Sequence, residues 1–244
     1  MSNPLIIFVH GGFHWGGCFA KVATLLAARG KCVLTPDLAG HGFDTKPRSQ
    51  IRSMADYTAP IARLIEQADE PVVLIGHSMG GISLSYLGER YPDKIARLIY
   101  LSAVMLPPGA SATDASEDSA QSAIGAITAP AEDGSGIRIS PIPEALAAGF
   151  YGDCSAHDIA IATRNLTEIN PLPPFIWRSD VTPEKYGRIP RVYIETIRDQ
   201  AVPIAMQRAF QTAFPGTIVH TMDCAHSPFF SHPSALVDLI AASL

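Results

Sequence analysis

Residues 72–81 read Val-Val-Leu-Ile-Gly-His-Ser-Met-Gly-Gly, and this stretch decides the fold. Four consecutive apolar residues, three of them β-branched, are the pattern of a strand buried on both faces. Gly76-His77-Ser78-Met79-Gly80 then matches G-x-S-x-G, and a helical pattern continues to about Arg90. A serine between strand and helix sits on a sharp, strained turn. The turn pushes the hydroxyl out and aims the helix N-terminus at it. Side chains at positions 76 and 80 would collide with neighbouring backbone, which accounts for both glycines. Ser78 is therefore the candidate nucleophile. The same turn should direct His77 away from that hydroxyl, which leaves His77 a packing or supporting role.

Working outward, short apolar runs alternate with helical periodicity. Strands are expected at 5–9, 31–35, 98–102, 191–196 and 217–221. Helices are expected from Phe19 to a stop at Gly30, over 53–67, over 203–214 and from Pro233 onward. With the strand at 72–75 this gives six strands and a mostly parallel sheet, covered by helices on both faces. No internal repeat is visible. Residues 104–188 interrupt the alternation. Within them, 109–136 is rich in Gly, Ala, Ser, Asp and Thr and is expected as a mobile loop. Helices are expected at 143–150 and 155–166, followed by a Pro-rich connector at 170–175. An insertion at the strands' C-terminal edge lies above the ligand crevice of such a sheet. The reading is thus a core from 1–103 and 189–244, with a largely helical cap at 104–188.

A nucleophilic serine needs a base brought from another loop. His226 follows the last strand in Asp223-Cys224-Ala225-His226-Ser227-Pro228, at the same edge as the elbow. His220 falls within a strand, His157 on a cap helix, and His232 at a helix start, where capping is the simpler role. Asp199 follows the preceding strand, and Ser78…Asp199…His226 is the chain order expected of a strand–turn–helix serine site. Asp223 is the rival acid, but three residues along one loop is poor geometry for the far imidazole nitrogen. Asp199 would hold the histidine tautomer and stabilise its cation. His10-Gly11-Gly12-Phe13-His14 follows the first strand and should form an oxyanion loop. The two donors would be the backbone N–H groups of Gly12 (Phe13 as runner-up) and Met79. His10 and His14 are expected to pin that loop.

Composition sets limits. In 244 residues, 47% are hydrophobic and 17% charged, which is globular rather than disordered. The net charge of −5 is scattered, with no basic stripe for nucleic acid or anionic lipid. No run approaches the ~18 apolar residues of a membrane span. The N-terminus lacks the basic region of a signal peptide, so a cytoplasmic protein is expected. Cys18, Cys32, Cys154 and Cys224 show no metal-like spacing and read as free buried thiols. The sequence fixes no oligomeric state and leaves a homodimer open.

The chain resembles the plant methylesterase and hydroxynitrile lyase family, and more closely its bacterial carboxylesterase relatives. The match runs over nearly the whole length. It is specific at 10–17, at Asp37-Leu38-Ala39-Gly40-His41-Gly42, and at 76–81, 91–102, 199–203 and 224–231; the 150–154 stretch looks like the bacterial branch. The resemblance implies an α/β-hydrolase fold, the Ser78–His226–Asp199 triad and no cofactor. The lyase branch carries Lys immediately after the catalytic histidine and Thr after the histidine opening the oxyanion loop. Ser227 and Gly11 stand at those positions here. Without the ammonium nothing stabilises a cyanide leaving group, so the expected reaction is hydrolysis of a small to medium apolar carboxylic ester through an acyl-enzyme. The pocket is expected to draw on Phe13, Met79, Phe150, Phe175, Trp177 and Phe229. A carbon–carbon lyase and a non-catalytic small-molecule receptor on the same fold remain the alternatives.

Overall fold

The computed structural model describes residues 4–117, 122–140 and 142–244. In chain order, the first half carries strands β1 (Ile6–Val9), β2 (Val33–Leu34), β3 (Val72–His77) and β4 (Ile95–Leu101). Between them run helices α1 (Ala20–Ala28), α2 (Met54–Gln67) and α3 (Gly80–Arg90). The segment after β4 contains α4 (Ala112–Glu117), β5 (Thr128–Pro130), β6 (Gly136–Ile139), α5 (Pro143–Phe150), α6 (Ala156–Asn165), β7 (Ile169–Pro171) and α7 (Pro173–Ile176). The chain ends with β8 (Arg191–Thr196), α8 (Ile204–Ala213), β9 (Ile218–Met222), α9 (Pro228–Ser231) and α10 (Pro233–Ala242).

Six strands form one sheet in the order β2-β1-β3-β4-β8-β9, every pair parallel. Alternate residues feed two cores. Ile6, Phe8, Val73 and Ile75 pack with Phe19, Val22 and Leu26 near α1 and with Leu236, Val237 and Ile240 of α10. Ile7, Val9, Val72 and Leu74 pack with Tyr57, Ile61 and Ile65 of α2, with Leu84 and Leu87 of α3 and with Phe210 of α8. Both faces are buried, so the strands read as continuous apolar runs rather than alternating ones. The strand order reverses between β1 and β3, and the crevice past their C-terminal ends is where such sheets bind ligands.

The segment between β4 and β8 carries the two expected helices, α5 and α6. It also holds an antiparallel sheet, β5-β6-β7, that the sequence reading does not anticipate. Its strands are three or four residues long, too short to show a period. The expected loop at 109–136 contains α4, β5 and the first residue of β6. Residues 118–121 of it lie outside the described residues, as do residues 1–3 of the N-terminal reading. The expected connector at 170–175 is instead β7 running into α7. Pro130 and Pro171 both sit on the outer strands of this sheet, where a missing N–H costs least. The segment is tied to the core by Lys21 of α1, whose Nζ lies 2.8 Å from Asp158 Oδ1 of α6. Among the described residues, no helix is long and apolar enough to cross a membrane.

Candidate active site

The loops that follow β1, β3, β8 and β9 meet at one edge of the sheet. Ser78 follows β3 with φ = 53°, one of three non-glycine residues with positive φ among the described residues. That conformation is held by the backbone around it. Ser78 N–H donates to Leu101 O at 3.2 Å, and Ser78 O accepts from Gly81 and Val104 N–H at 3.0 and 2.9 Å. The elbow also presses on the loop after β1. A Cβ on Gly80 would lie 2.5 Å from Val9 O and 2.7 Å from His10 O, so only glycine permits this approach.

Asp199 and His226 face each other across the loops after β8 and β9. His226 Nδ1–H donates to Asp199 Oδ2 at 2.7 Å, and both side chains are fully buried. The carboxylate is otherwise saturated. Oδ1 accepts from Ala201 and Val202 N–H, each at 2.8 Å, and Oδ2 accepts from Thr196 Oγ1 at 3.1 Å. Thr196 Oγ1 also lies 2.9 Å from Ser102 Oγ, which ties this end of the carboxylate to the residue following β4. Gln207 of α8 braces the same loop, donating to Thr196 O at 3.0 Å and Val202 O at 2.7 Å. Neither Gln207 nor Ser102 has a signal in the sequence, because each acts only through contacts made on folding. Asp223, the rival acid, points outward with 75% of its side chain exposed and pairs with Arg198 Nε at 2.9 Å.

His226 Nε2 is buried and makes no hydrogen bond among the described residues. No bond joins it to Ser78 Oγ; such contacts are often long in ligand-free sites and tighten when substrate binds. The histidine loop is nevertheless tied to the elbow. His77 Nε2–H donates to His226 O at 2.9 Å, and the two rings lie 4.4 Å apart. His77 thus supports the His226 loop, while burial holds its own pKa well below the ordinary histidine value.

The loop after β1 is pinned by its histidines. His10 Nδ1–H donates to Gly11 O at 2.9 Å and Nε2 accepts Leu38 N–H at 3.0 Å. His14 Nδ1–H donates to Gly12 O at 2.8 Å. Burial depresses the His14 pKa to about 4, which keeps it neutral near pH 7. The N–H of Phe13 is committed to Asn170 Oδ1 at 3.1 Å. Those of Gly12 and Met79 have no hydrogen-bond partner among the described residues. Of the two sequence candidates in this loop, Gly12 therefore has the available donor.

A cavity of about 420 Å³ opens at Ser78, lined by Met79, Ile124, Ile137, Phe175 and Met206 among others. No charged residue lines it among the described residues. Of the aromatics expected there, only Phe175 takes part. Phe13, Phe150 and Phe229 are core residues, at most 4% exposed. Phe150 packs 5.7 Å from the His226 ring and Phe229 lies 4.8 Å from His77. Trp177 packs on Tyr86. Large aromatic rings gain most from full burial, which drew them under the site rather than into it. A second hollow, of about 610 Å³, lies at the opposite strand ends beside Leu5, Val73 and Arg97.

His232 does not cap α10; its Nδ1 bonds Ser231 Oγ at 2.8 Å. It lies with Asp153 and Cys224 in a cluster whose ligating atoms fall within 4.8 Å, a grouping invisible to sequence spacing. The Arg198 guanidinium, 3.5 Å from Asp153 Oδ2, already supplies a positive charge there. The four cysteines are free, but only Cys18 and Cys224 are buried; Cys154 is half-buried and Cys32 exposed.

Residues 6–239 match the model of the alpha/beta hydrolase family, and the chain belongs to that family. It is 33% identical to a pyrethroid hydrolase of Sphingobium wenxiniae, over 99% of this chain and 88% of that protein. It is 30% identical to methylesterase 18 of Arabidopsis thaliana, over 98% and 97%. It spans between 54% and 69% of the chloroplastic Arabidopsis methylesterases it also matches. The solved pyrethroid hydrolase of Sphingobium faniae superposes with a TM-score of 0.87 at 32% identity, covering 99% of this chain and 97% of that one. These relatives are ester hydrolases by name.

Proposed function

We propose that this protein is a serine carboxylesterase that cleaves a small to medium apolar ester through an acyl-enzyme. Ser78 attacks the ester carbonyl while His226 Nε2 takes its proton. Asp199 fixes the tautomer and stabilises the imidazolium. The N–H groups of Gly12 and Met79 hold the oxyanion, each worth about 3–4 kcal/mol in the transition state. His226 then protonates the leaving alcohol and activates the water that releases the acid. Residues 104–188 serve as the cap, whose Ile124, Ile137 and Phe175 wall the cavity. The observation that carries the reading is the buried 2.7 Å Asp199–His226 pair with Nε2 uncommitted, linked through His77 to the strained Ser78 turn. An uncharged cavity favours a neutral, apolar ester over one bearing a carboxylate or phosphate. Ser227 is fully buried and its hydroxyl has no partner among the described residues, so position 227 offers no cation to a cyanide leaving group.

The test is covalent labelling by a fluorophosphonate, with turnover of a graded ester panel. Labelling and turnover are expected in the wild type and absent in Ser78→Ala; His226→Ala should lose labelling. A folded Ser78→Ala protein that still hydrolyses esters would end the proposal.

A further inference from the structure

The loop between β1 and α1 is held from within by His10 and His14, and from outside by residues far away in sequence. Phe13 adopts φ = 65°, a left-handed conformation disfavoured for a bulky side chain. Before it stand Gly11 and Gly12, the residue type with the widest backbone freedom. Yet the Gly12–Phe13 peptide is fixed at both ends. Its carbonyl accepts from His14 Nδ1–H at 2.8 Å, and His14 Nε2 accepts in turn from Tyr151 O–H at 2.9 Å. Its N–H donates to Asn170 Oδ1 at 3.1 Å. The next carbonyl, Phe13 O, accepts Thr167 N–H at 2.7 Å.

Tyr151, Thr167 and Asn170 all belong to the segment between β4 and β8. None belongs to the loop they hold. Asn170 is completely buried and its amide orientation is fixed. Oδ1 also accepts from His41 Nε2–H at 2.8 Å, while Nδ2 donates to Pro171 O at 2.9 Å. Tyr151 is 1% exposed, and burial raises its pKa well above the usual phenol value, so its proton stays in place to donate.

We infer that Asn170 and Tyr151 are positioning residues that preorganise the oxyanion donor at Gly12 by clamping the Gly12–Phe13 peptide from the cap side. The inference rests on reading Gly12 as that donor. Its consequence is that the cap is a working part of the site and not only its roof. With the clamp closed, Phe13 N–H is turned into Asn170 and Gly12 N–H remains available. Without it, a glycine-rich loop regains several orientations, and stabilisation that depends on fixed dipoles is lost.

The test uses Asn170→Leu, similar in volume but without an acceptor, and Tyr151→Phe, which deletes one hydroxyl. The measurements are kcat and KM for p-nitrophenyl acetate, and the inhibition constant of a trifluoromethyl ketone whose adduct with Ser78 carries an oxyanion. A clamp acting on the transition state lowers kcat roughly 10–100-fold in Asn170→Leu and roughly 3–10-fold in Tyr151→Phe, with KM within about threefold. The ketone's inhibition constant rises by the factor that kcat/KM falls. Unchanged kcat and ketone affinity in Tyr151→Phe overturns the inference even where Asn170→Leu fails to fold. A lowered kcat with unaltered ketone affinity overturns it too, since that pattern marks a merely structural role. Ser78→Ala is assayed alongside. Turnover surviving there removes the hydrolase reading. Turnover lost there, with both clamp variants at wild-type values, removes this inference alone.

Discussion

Asp199→Asn should leave the fold standing and disable the base. Asp199 Oδ1 receives two backbone N–H groups, from Ala201 and Val202, each at 2.8 Å. An amide at this position must place its oxygen there, because its NH₂ would face two donors. The NH₂ then sits at the Oδ2 position, 2.7 Å from His226 Nδ1. Nδ1 is forced to accept, and the ring proton moves to Nε2, the nitrogen proposed to take the proton of Ser78. A histidine held in the wrong tautomer costs about 10⁴ in kcat in serine proteases. At 1.36 kcal/mol per decade that is about 5 kcal/mol of barrier. The assay is kcat/KM on p-nitrophenyl acetate, with circular dichroism to verify folding. A folded Asn variant within tenfold of wild type would refute the reasoning. Asp223→Asn, at a side chain 75% exposed, serves as the control and should stay within about twofold.

Three further outcomes are expected. Ser78→Gly should abolish turnover and raise stability by about 1 kcal/mol, because glycine carries no penalty at φ = 53°; a lowered melting temperature would contradict the strain at the elbow. His14 is held near pKa 4 when folded and titrates near 6.5 when unfolded, so the unfolded chain binds more protons in between. Stability is therefore complete above pH 6.5 and falls as pH drops toward 4, by about 3 kcal/mol from His14 alone. His10, His41 and His77, also depressed by burial, add to the same trend, and urea unfolding at pH 7, 6 and 5 measures it. Ala201→Leu should shrink the cavity at Ser78 and penalise bulky esters by about tenfold in kcat/KM while sparing acetate; equal losses on both would show that bulky acyl or alcohol groups do not enter there.

The sheet, and the loops that carry Ser78, Asp199 and His226, were legible in the sequence for identifiable reasons. Central parallel strands are apolar on both faces, so β1, β3, β4 and β8 stand out as continuous runs. The elbow needs Gly76 and Gly80 because backbone and side chains close around it. Asp199 and His226 sit shortly after β8 and β9, and strand ends are legible even where loop conformations are not. Edge strands were less so: β2 is two residues long against five expected. The antiparallel sheet between β4 and β8 escaped because β7 pairs with β6 across roughly thirty intervening residues, and no local pattern encodes that pairing.

What tertiary structure alone decided is which polar atoms meet. Asn170 lies 157 positions from Phe13 in sequence, yet their contact withdraws one N–H and leaves Gly12 as the available donor. Gln207, Ser102 and Thr196 meet around Asp199 from separate parts of the chain, and of the packing or supporting role expected of His77 the fold adds the supporting one, a bond to His226 O. The aromatics moved the other way, from expected pocket walls into the core beneath. Residue type and spacing fix which elements form, since hydrophobic periodicity and glycine sterics are local. Hydrogen bonds among buried groups depend on angles and tenths of an ångström, which exist only once the layers have packed.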